Sequence, residues 1–254
     1  MNKVWSSAAE AVQDVVSGSS IAVGGFGICG VPFELIAAVG ETNATDLQIV
    51  SNNCGLEGLG LGVLLEQGRI SRITASYVGE NAEFARQYFH GELEVELTPQ
   101  GTLAERMRAG GVGIPAFFTA SGVGSQVAEG GIPLRYHQDG SVAVVSPRKE
   151  TREFNGRTYV LEESIATDFA LVHAILADTV GNLVFHESAR NFNPLCAMAG
   201  RVTVVEAEEI VEPGEIEPDA VHLPGIFVQR VVKASAESTK PIERLTVRPK
   251  DGVA

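Results

Sequence analysis

Short apolar runs alternate with amphipathic stretches through the first 90 residues, which is the pattern of strands connected by helices. The apolar runs predict strands over residues 20–24, 47–50 and 70–76. Helical spacing of apolar positions predicts helices over residues 7–16, 32–40, 61–67 and 81–89. Strands that alternate with helices usually pair in parallel and are covered on both faces. We therefore expect an α/β fold with a largely parallel sheet covered by helices.

The pattern changes in the middle of the chain, where glycine and proline cluster. Asn155 and Gly156 stand between two alternating runs and predict a two-residue β-hairpin. Later apolar runs predict strands over residues 169–177, 183–185, 202–205 and 226–232. The chain is thus expected to form a single domain over residues 1–254, with an antiparallel, β-rich insertion around residues 116–164.

One segment is strongly acidic: residues 206–219 hold seven carboxylates and no basic side chain. Its spacing does not follow the calcium-binding loop of an EF-hand. We predict a solvated face or loop rather than a metal site.

Charge and cysteine usage exclude several classes of function. The net charge of −13 argues against nucleic acids and anionic membranes as partners, and makes the chain a poor sole receptor for a polyphosphate ligand. Cys29, Cys54 and Cys196 form no CxxC pair, and the five histidines are scattered, so neither a disulfide framework nor a metal site is indicated. Without an apolar run of about 20 residues or a signal-peptide pattern, we expect a cytoplasmic protein.

A glycine-rich segment follows the first predicted strand and precedes a predicted helix. It contains a literal G-x-G-x-x-G at Gly25, Gly27 and Gly30. Dinucleotide binding would require an acidic residue at the end of the next strand, but that strand is followed by Ser51 and Asn52. Two interpretations remain: a turn whose backbone N–H groups approach a ligand, and a purely structural turn.

Three side-chain amides follow other predicted strands. Asn52 and Asn53 lie where the carboxyl end of a strand opens into the crevice of an α/β sheet, and Gln100 lies between Pro99 and Gly101 at a strand-to-helix turn. Amide groups suit a carboxylate or an acyl oxygen. Because asparagine and glutamine are also common in plain turns, the structural alternative stays open for each of them.

Taken together and in this order, the motifs resemble the A subunit of family I CoA-transferases, most closely the succinyl-CoA:3-oxoacid type. The likeness covers about residues 3–248. The stretches that carry it are residues 24–32, 51–55, 76–83, 92–108, 113–118 and 188–193.

The resemblance implies a chain that transfers CoA from succinyl-CoA to a 3-oxoacid such as acetoacetate. In this family the reaction passes through a glutamyl-CoA thioester on a glutamate of the B subunit, within a Ser-Glu-Asn-Gly motif. That motif does not occur here, and Glu80-Asn81 lacks both the preceding serine and the following glycine. We expect no catalytic residue in this chain, and we expect its partner to be the B subunit, in an A2B2 assembly.

The resemblance also implies roles for individual residues. Asn52, Asn53 and Gln100 match positions near the acyl or carboxylate group. No metal and no cofactor are implied, since coenzyme A is a substrate; the other ligands are acyl-CoA and short carboxylic acids. The alternatives are an acceptor such as 3-oxoadipate or acetate, and a non-catalytic module that binds acyl-CoA or anions. The CoA-binding segment consists of Gly24, Gly25, Phe26, Gly27, Ile28, Cys29 and Gly30.

Overall fold

The computed structural model describes residues 1–79 and 81–235. A central sheet of eight strands forms the core of this part of the protein. Seven strands follow the order β13-β12-β10-β1-β2-β3-β4 and all pair in parallel, while β11 pairs antiparallel with β10. The predicted largely parallel α/β sheet is therefore confirmed. The strands are β1 (Ser20–Val23), β2 (Leu47–Val50), β3 (Ile70–Ala75), β4 (Glu94–Leu97), β10 (Thr167–Asp178), β11 (Leu183–Val184), β12 (Gly200–Val211) and β13 (Arg230–Lys233).

Helices cover both faces of this sheet, because alternate residues of the strands point to opposite sides. Ile21 of β1 belongs to one buried apolar cluster with Leu35 and Leu64, whereas the adjacent Ala22 belongs to a second cluster with Leu103. The result is a three-layer α/β/α arrangement. The helices of these layers are α1 (Ala8–Ala11), α2 (Phe33–Glu41), α3 (Leu61–Glu66), α4 (Ala82–Phe89), α5 (Gln100–Gly111) and α7 (Asn193–Ala199).

Two small antiparallel sheets lie between α5 and β10. The hairpin at Asn155 and Gly156 is present: Phe154 pairs with Arg157, and the two turn residues have φ values of 50° and 73°. Positive φ at both positions is what a two-residue type I′ turn requires. The elements are β5 (Ala116–Thr119), α6 (Gln126–Glu129), β6 (Pro133–Tyr136), β7 (Val142–Val145), β8 (Thr151–Phe154) and β9 (Arg157–Glu163).

Three predicted elements differ from the structure by more than two residues at one end. The strand expected over residues 202–205 is much longer, since β12 spans Gly200–Val211. The helix expected over residues 7–16 is limited to α1, because β-branched valines follow it and Gly18 turns the chain with a φ of 82°. The strand expected over residues 226–232 begins only at Arg230, after a 3-10 helix over Gly225–Phe227.

The prediction for the acidic segment was wrong at its start. Glu206 lies within β12 and is fully buried. Its Oε2 atom accepts hydrogen bonds from the N–H groups of Glu34 (2.9 Å) and Leu35 (3.2 Å) in the first turn of α2. The helix N-terminus thus satisfies a carboxylate that the local sequence suggests is solvated.

Candidate functional site

The sheet order reverses between β1 and β10. Strands β2, β3 and β4 lie on one side of this pair, and β12 and β13 lie on the other. In open α/β sheets, ligands bind in the crevice outside the carboxyl ends of the strands at such a switch point. The glycine segment follows β1 directly, so the topology places it at the expected position of a ligand.

The glycine segment contains a tight turn over residues 26–29, called the first turn below. Phe26 and Cys29 exchange two backbone hydrogen bonds of 3.0 Å each. Gly27 has a φ of 60°, whereas Ile28 has no positive φ. This combination corresponds to a type II′ turn, in which the second residue is glycine. The Phe26 side chain at the turn is 50% exposed.

The glycines of this segment have two different roles. A Cβ atom on Gly24 would lie 1.9 Å from Asn193 Oδ1, and one on Gly30 would lie 2.6 Å from the carbonyl oxygen of Ala189. These two positions therefore require glycine for packing. A Cβ atom on Gly27 would meet no atom within 4 Å, so only its positive φ requires glycine there.

Asn193 fixes the glycine segment from behind. Its buried side chain accepts a hydrogen bond from the His173 N–H (3.0 Å) and donates from Nδ2 to the carbonyl oxygens of Gly30 (2.9 Å) and Ala189 (2.8 Å). Asn191 donates to the Cys29 carbonyl at 3.1 Å. The resemblance included residues 188–193 but assigned them no role, and only the fold shows that they hold the glycine segment.

The three predicted amide residues form one hydrogen-bonded cluster. Asn52 Oδ1 accepts from Gln100 Nε2 (2.8 Å) and from Ser76 Oγ (2.9 Å), while Asn52 Nδ2 donates to Asn53 Oδ1 (3.2 Å). Ser51 Oγ donates to the Val23 carbonyl at 2.8 Å, which ties the cluster to β1. Asn52 and Asn53 are buried and Gln100 is exposed. Sequence reasoning missed the role of Ser76.

A narrow cleft with an internal volume of only about 10 Å³ lies between the first turn and the amide cluster. Gly25, Gly27 and Ile28 line one side, and Ser51 and Asn53 line the other. The structure therefore brings part of the predicted CoA-binding segment together with Asn53, and connects Gln100 to the cleft through Asn52.

Two of the three cysteines, Cys54 and Cys196, are unsuited to nucleophilic chemistry. Burial raises the pKa of Cys54 and of Cys196 to about 12, so both thiols stay protonated at neutral pH. Cys29 is buried, with Sγ 3.5 Å from Ser188 Oγ.

Glu80, whose flanking residues differ from the Ser-Glu-Asn-Gly motif, lies outside the described residues.

Neither a metal centre nor a membrane span is found in the described part of the chain. No group of three or more His, Cys, Asp or Glu side chains is arranged to hold a metal ion there. No helix in residues 1–79 or 81–235 has the length and apolar character to span a bilayer.

Comparison with known proteins gives strong matches. The family model for coenzyme A transferase matches residues 5–234. A protein of Mycobacterium bovis, described as the probable A subunit of a succinyl-CoA:3-ketoacid coenzyme A transferase, is 64% identical over 248 residues, which are 98% of this chain and 100% of that protein. A mitochondrial human protein, succinyl-CoA:3-ketoacid coenzyme A transferase 2, is 52% identical over 254 residues, covering 99% of this chain and 49% of the human protein.

The fold is also found among solved structures. An acyl-CoA transferase of Escherichia coli O157:H7 (YdiF), solved as a thioester complex with CoA, superimposes with a TM-score of 0.76 and 22% sequence identity. The match covers 91% of this chain and 47% of the Escherichia coli chain. This chain therefore spans about half the length of the human and Escherichia coli proteins, and the structural match establishes a shared fold.

Proposed function

Because this chain belongs to the coenzyme A transferase family, we propose that it is the A subunit of a two-chain succinyl-CoA:3-oxoacid CoA-transferase. In this role it transfers CoA from succinyl-CoA to acetoacetate. The observation that carries the proposal is the 64% identity, over the full length, to a relative named as the A subunit of such an enzyme. The human relative is about twice as long, which is consistent with two halves that are separate chains here.

The reacting carboxylate belongs to the partner in this proposal. The Ser-Glu-Asn-Gly motif is absent from the sequence. The thioester of succinyl-CoA is attacked by a glutamate carboxylate of the B subunit, which forms a mixed anhydride and releases CoA as thiolate. The thiolate then attacks the glutamyl carbonyl of the anhydride, which gives glutamyl-CoA and free succinate. Acetoacetate reverses both steps and leaves as acetoacetyl-CoA.

This chain supplies binding groups and excludes water in that scheme. The anhydride and the thioester survive only where water is kept out, which a site buried between two subunits provides. Backbone and amide groups line the same cleft, which supports the assignment of Gly25, Gly27 and Ile28 to the CoA-facing side, with Asn53 opposite them. Asn52 and Gln100 complete the acyl-binding side through their hydrogen bond. Gly24 and Gly30 support the segment through packing.

The remaining assignments extend the same proposal. We propose an A2B2 assembly in the cytoplasm, with residues 1–254 as one A-subunit domain that carries its β-rich insertion around residues 116–164. The part of this domain over residues 236–254 lies outside the described residues. Coenzyme A acts as a substrate, and no other cofactor enters the proposed chemistry.

Intact-mass measurement after incubation with succinyl-CoA tests the division of roles. Purified alone, this chain should show no CoA transfer and no covalent CoA adduct, whereas the two-chain complex should carry the adduct on its other chain. A thioester on any carboxylate of this chain would contradict the proposal.

The acceptor is tested separately with the active complex. The kcat/KM for acetoacetate should exceed the values for 3-oxoadipate and acetate, which are the two competing acceptors. If the complex prefers either competitor, the chain still belongs to a CoA-transferase, but the acceptor is not acetoacetate.

A further inference from the structure

Two turns of equal length follow the neighbouring strands β1 and β2 in the chain. In the second turn, residues 56–59, Leu56 and Leu59 exchange backbone hydrogen bonds of 3.1 and 3.0 Å, as Phe26 and Cys29 do in the first turn. Each turn is followed directly by a glycine with positive φ: Gly30 (67°) and Gly60 (60°). The second turn is therefore a structural counterpart of the first, and the central backbone N–H groups of the two turns can be compared.

The two turns differ in the position of their central glycine. The first turn has positive φ at its second residue, Gly27, and the second turn has it at its third residue, Gly58 (66°). These are the patterns of type II′ and type II turns respectively, which are mirror images in backbone conformation. The central peptide groups of the two turns consequently point to opposite sides.

The central N–H group of the second turn already binds a carboxylate. Gly58 N–H donates to Oε1 of Glu66, the last residue of α3, over 2.6 Å. The corresponding donor of the first turn is the Ile28 N–H. Within the described residues, neither this N–H nor that of Gly27 has a hydrogen-bond acceptor. A carboxylate oxygen therefore binds the central N–H group of the second turn, whereas no described residue accepts a hydrogen bond from the corresponding N–H group of the first turn.

The two residues that this amide joins belong to the cleft. Gly27 and Ile28 both line it, opposite Asn53. The turn is also held rigidly, because its two ends are hydrogen-bonded to each other and Asn193 binds the carbonyl oxygen of Gly30. A donor fixed in advance stabilises an oxygen that gains negative charge without reorganising during the reaction.

We propose that the Ile28 N–H binds an oxygen atom of the substrate's acyl group, either its carboxylate or its thioester carbonyl. This inference rests on the proposed function and adds a specific donor to it. The described residues that line the cleft include no lysine or arginine, so a backbone donor provides an oxygen-binding group there without a basic side chain. Because the donor is a backbone atom, no residue type at position 28 reveals it in the sequence.

Moving the glycine tests the proposal. The double variant Gly27→Ala/Ile28→Gly places glycine at the third position, as in the second turn, and reverses the central peptide while the turn length is unchanged. Ile28→Ala is the matched control, because it shortens the same side chain and keeps the N–H. In the two-chain complex, the double variant should lose about 100-fold in kcat/KM, in the range known for loss of one such donor. Ile28→Ala should lose clearly less than the double variant, since it keeps the donor and changes only a side chain that lines the cleft.

Two measurements identify the oxygen that is bound. Intact-mass kinetics with succinyl-CoA should show slower formation of the glutamyl-CoA adduct by the double variant than by the Ile28→Ala control. Isothermal titration with succinate then separates the two oxygens: weaker binding assigns the N–H to the carboxylate, and unchanged binding assigns it to the thioester carbonyl. Adduct formation at the control's rate with unchanged succinate affinity would overturn the proposal. Activity within about threefold of the control would also overturn it, since a lost donor costs far more.

A second variant keeps the proposal testable if the double variant does not form the two-chain complex. Replacing Ile28 by the corresponding α-hydroxy acid changes the N–H to an ester oxygen and leaves the side chain intact. This complex should lose about 10- to 100-fold in kcat/KM, and unchanged activity would overturn the proposal. These comparisons use variants of an active wild-type complex. An inactive wild-type complex would instead count against the proposed function.

Discussion

The side chain of Gln100 donates a hydrogen bond from Nε2 to Oδ1 of Asn52 over 2.8 Å. This bond connects the first residue of α5 to the segment after β2, although β3 separates the parent strands β2 and β4 in the sheet. Ser76 Oγ donates to the same Asn52 oxygen at 2.9 Å. Asn52 is buried and has its amide orientation set by these two donors, so Gln100 is connected to the cleft through Asn52.

Gln100→Ala should reduce kcat/KM of the complex by about 10- to 150-fold, because hydrogen bonds that involve a charged group contribute roughly 1.5 to 3 kcal/mol. Steady-state kinetics with succinyl-CoA and acetoacetate measure this loss. The reduction should be larger for these substrates than for a monocarboxylate that lacks the second polar group, since only the former leave a buried partner unpaired.

Ser76→Ala is the matched control for that variant, because it removes the other donor to Asn52 Oδ1 and keeps Gln100. It should reduce kcat/KM less than Gln100→Ala does. If the Gln100→Ala complex assembles normally and loses less than about threefold for every substrate, Gln100 is a turn residue and its assignment to the acyl-binding side is wrong.

Gly27→Val should abolish most of the activity of the complex. Gly27 has a φ of 60° and lines the cleft, and a Cβ atom added there would project into open space, so a valine side chain would strain the backbone and, in the proposed site, obstruct the approach of the ligand. We expect a loss of more than about 100-fold in kcat/KM, comparable to removal of an oxyanion donor.

Gly140→Val provides the comparison at a remote turn. Gly140 also has positive φ (82°), and a Cβ atom added there would meet no atom within 4 Å, but Gly140 does not line the cleft. Both variants should lose about 1–2 kcal/mol of unfolding free energy through left-handed strain. Only Gly27→Val should lose activity. If the two variant complexes are equally active, Gly27 has a purely structural role.

Features set by local chemistry could be predicted from the sequence. Asn155 and Gly156 form the expected hairpin, because a two-residue turn with positive φ at both positions selects those residue types wherever it occurs. The strands β1 and β2 were predicted to within one residue for the same reason: short apolar runs bounded by glycine or polar residues admit few other structures. The positions of Asn52 and Gln100 at the ends of strands follow from the same pattern.

Features set by distant partners could not be predicted. Glu206 is buried because it accepts hydrogen bonds from Glu34 and Leu35, more than 170 residues earlier in the chain. Asn193 holds the Gly30 carbonyl across 163 residues. No local pattern encodes either contact, since a glutamate in an acidic segment and an asparagine near a helix start have ordinary solvated alternatives. The residue type at position 28 also gives no information about the proposed role of Ile28, because that role belongs to a backbone N–H group.

The two most deeply buried thiols should make the stability of the protein decrease at alkaline pH. Burial raises the pKa of Cys54 and Cys196 to about 12, above the value near 8.5 expected in the unfolded chain. The unfolded state therefore loses its protons first as pH rises. Each thiol should lower the free energy of unfolding by about 1.4 kcal/mol per pH unit between these two values.

Urea unfolding between pH 7 and 10.5 measures this effect. The variant Cys54→Ala/Cys196→Ala should be less stable than wild type at pH 7, because each substitution leaves a small cavity. Its stability should then fall less steeply with pH, and each single variant should show an intermediate slope. Parallel curves for wild type and the double variant would contradict the assignment of the alkaline loss to these thiols.

Glu206→Ala should destabilise the protein strongly although Glu206 lies far from α2 in sequence. Removing the carboxylate leaves the N–H groups of Glu34 and Leu35 without their acceptor, and Pro32, which precedes α2, offers no side-chain cap. We expect a loss of about 2–4 kcal/mol in the free energy of unfolding, from two charge-assisted hydrogen bonds and the lost interaction with the helix dipole. Glu206→Gln should lose less, since it keeps an acceptor oxygen.

Glu209→Ala is the matched control, because it removes an exposed carboxylate from the same strand and changes the net charge equally. It should stay within about 0.5 kcal/mol of wild type. Added formate should restore part of the stability of Glu206→Ala and none of that of Glu209→Ala, because only the former leaves an anion-sized position at a helix N-terminus. Equal stability of the two alanine variants would show that the carboxylate does not cap α2. If the cap is confirmed, the N-terminus of α2 is closed to ligand anions, and any phosphate group of coenzyme A must bind elsewhere in the complex.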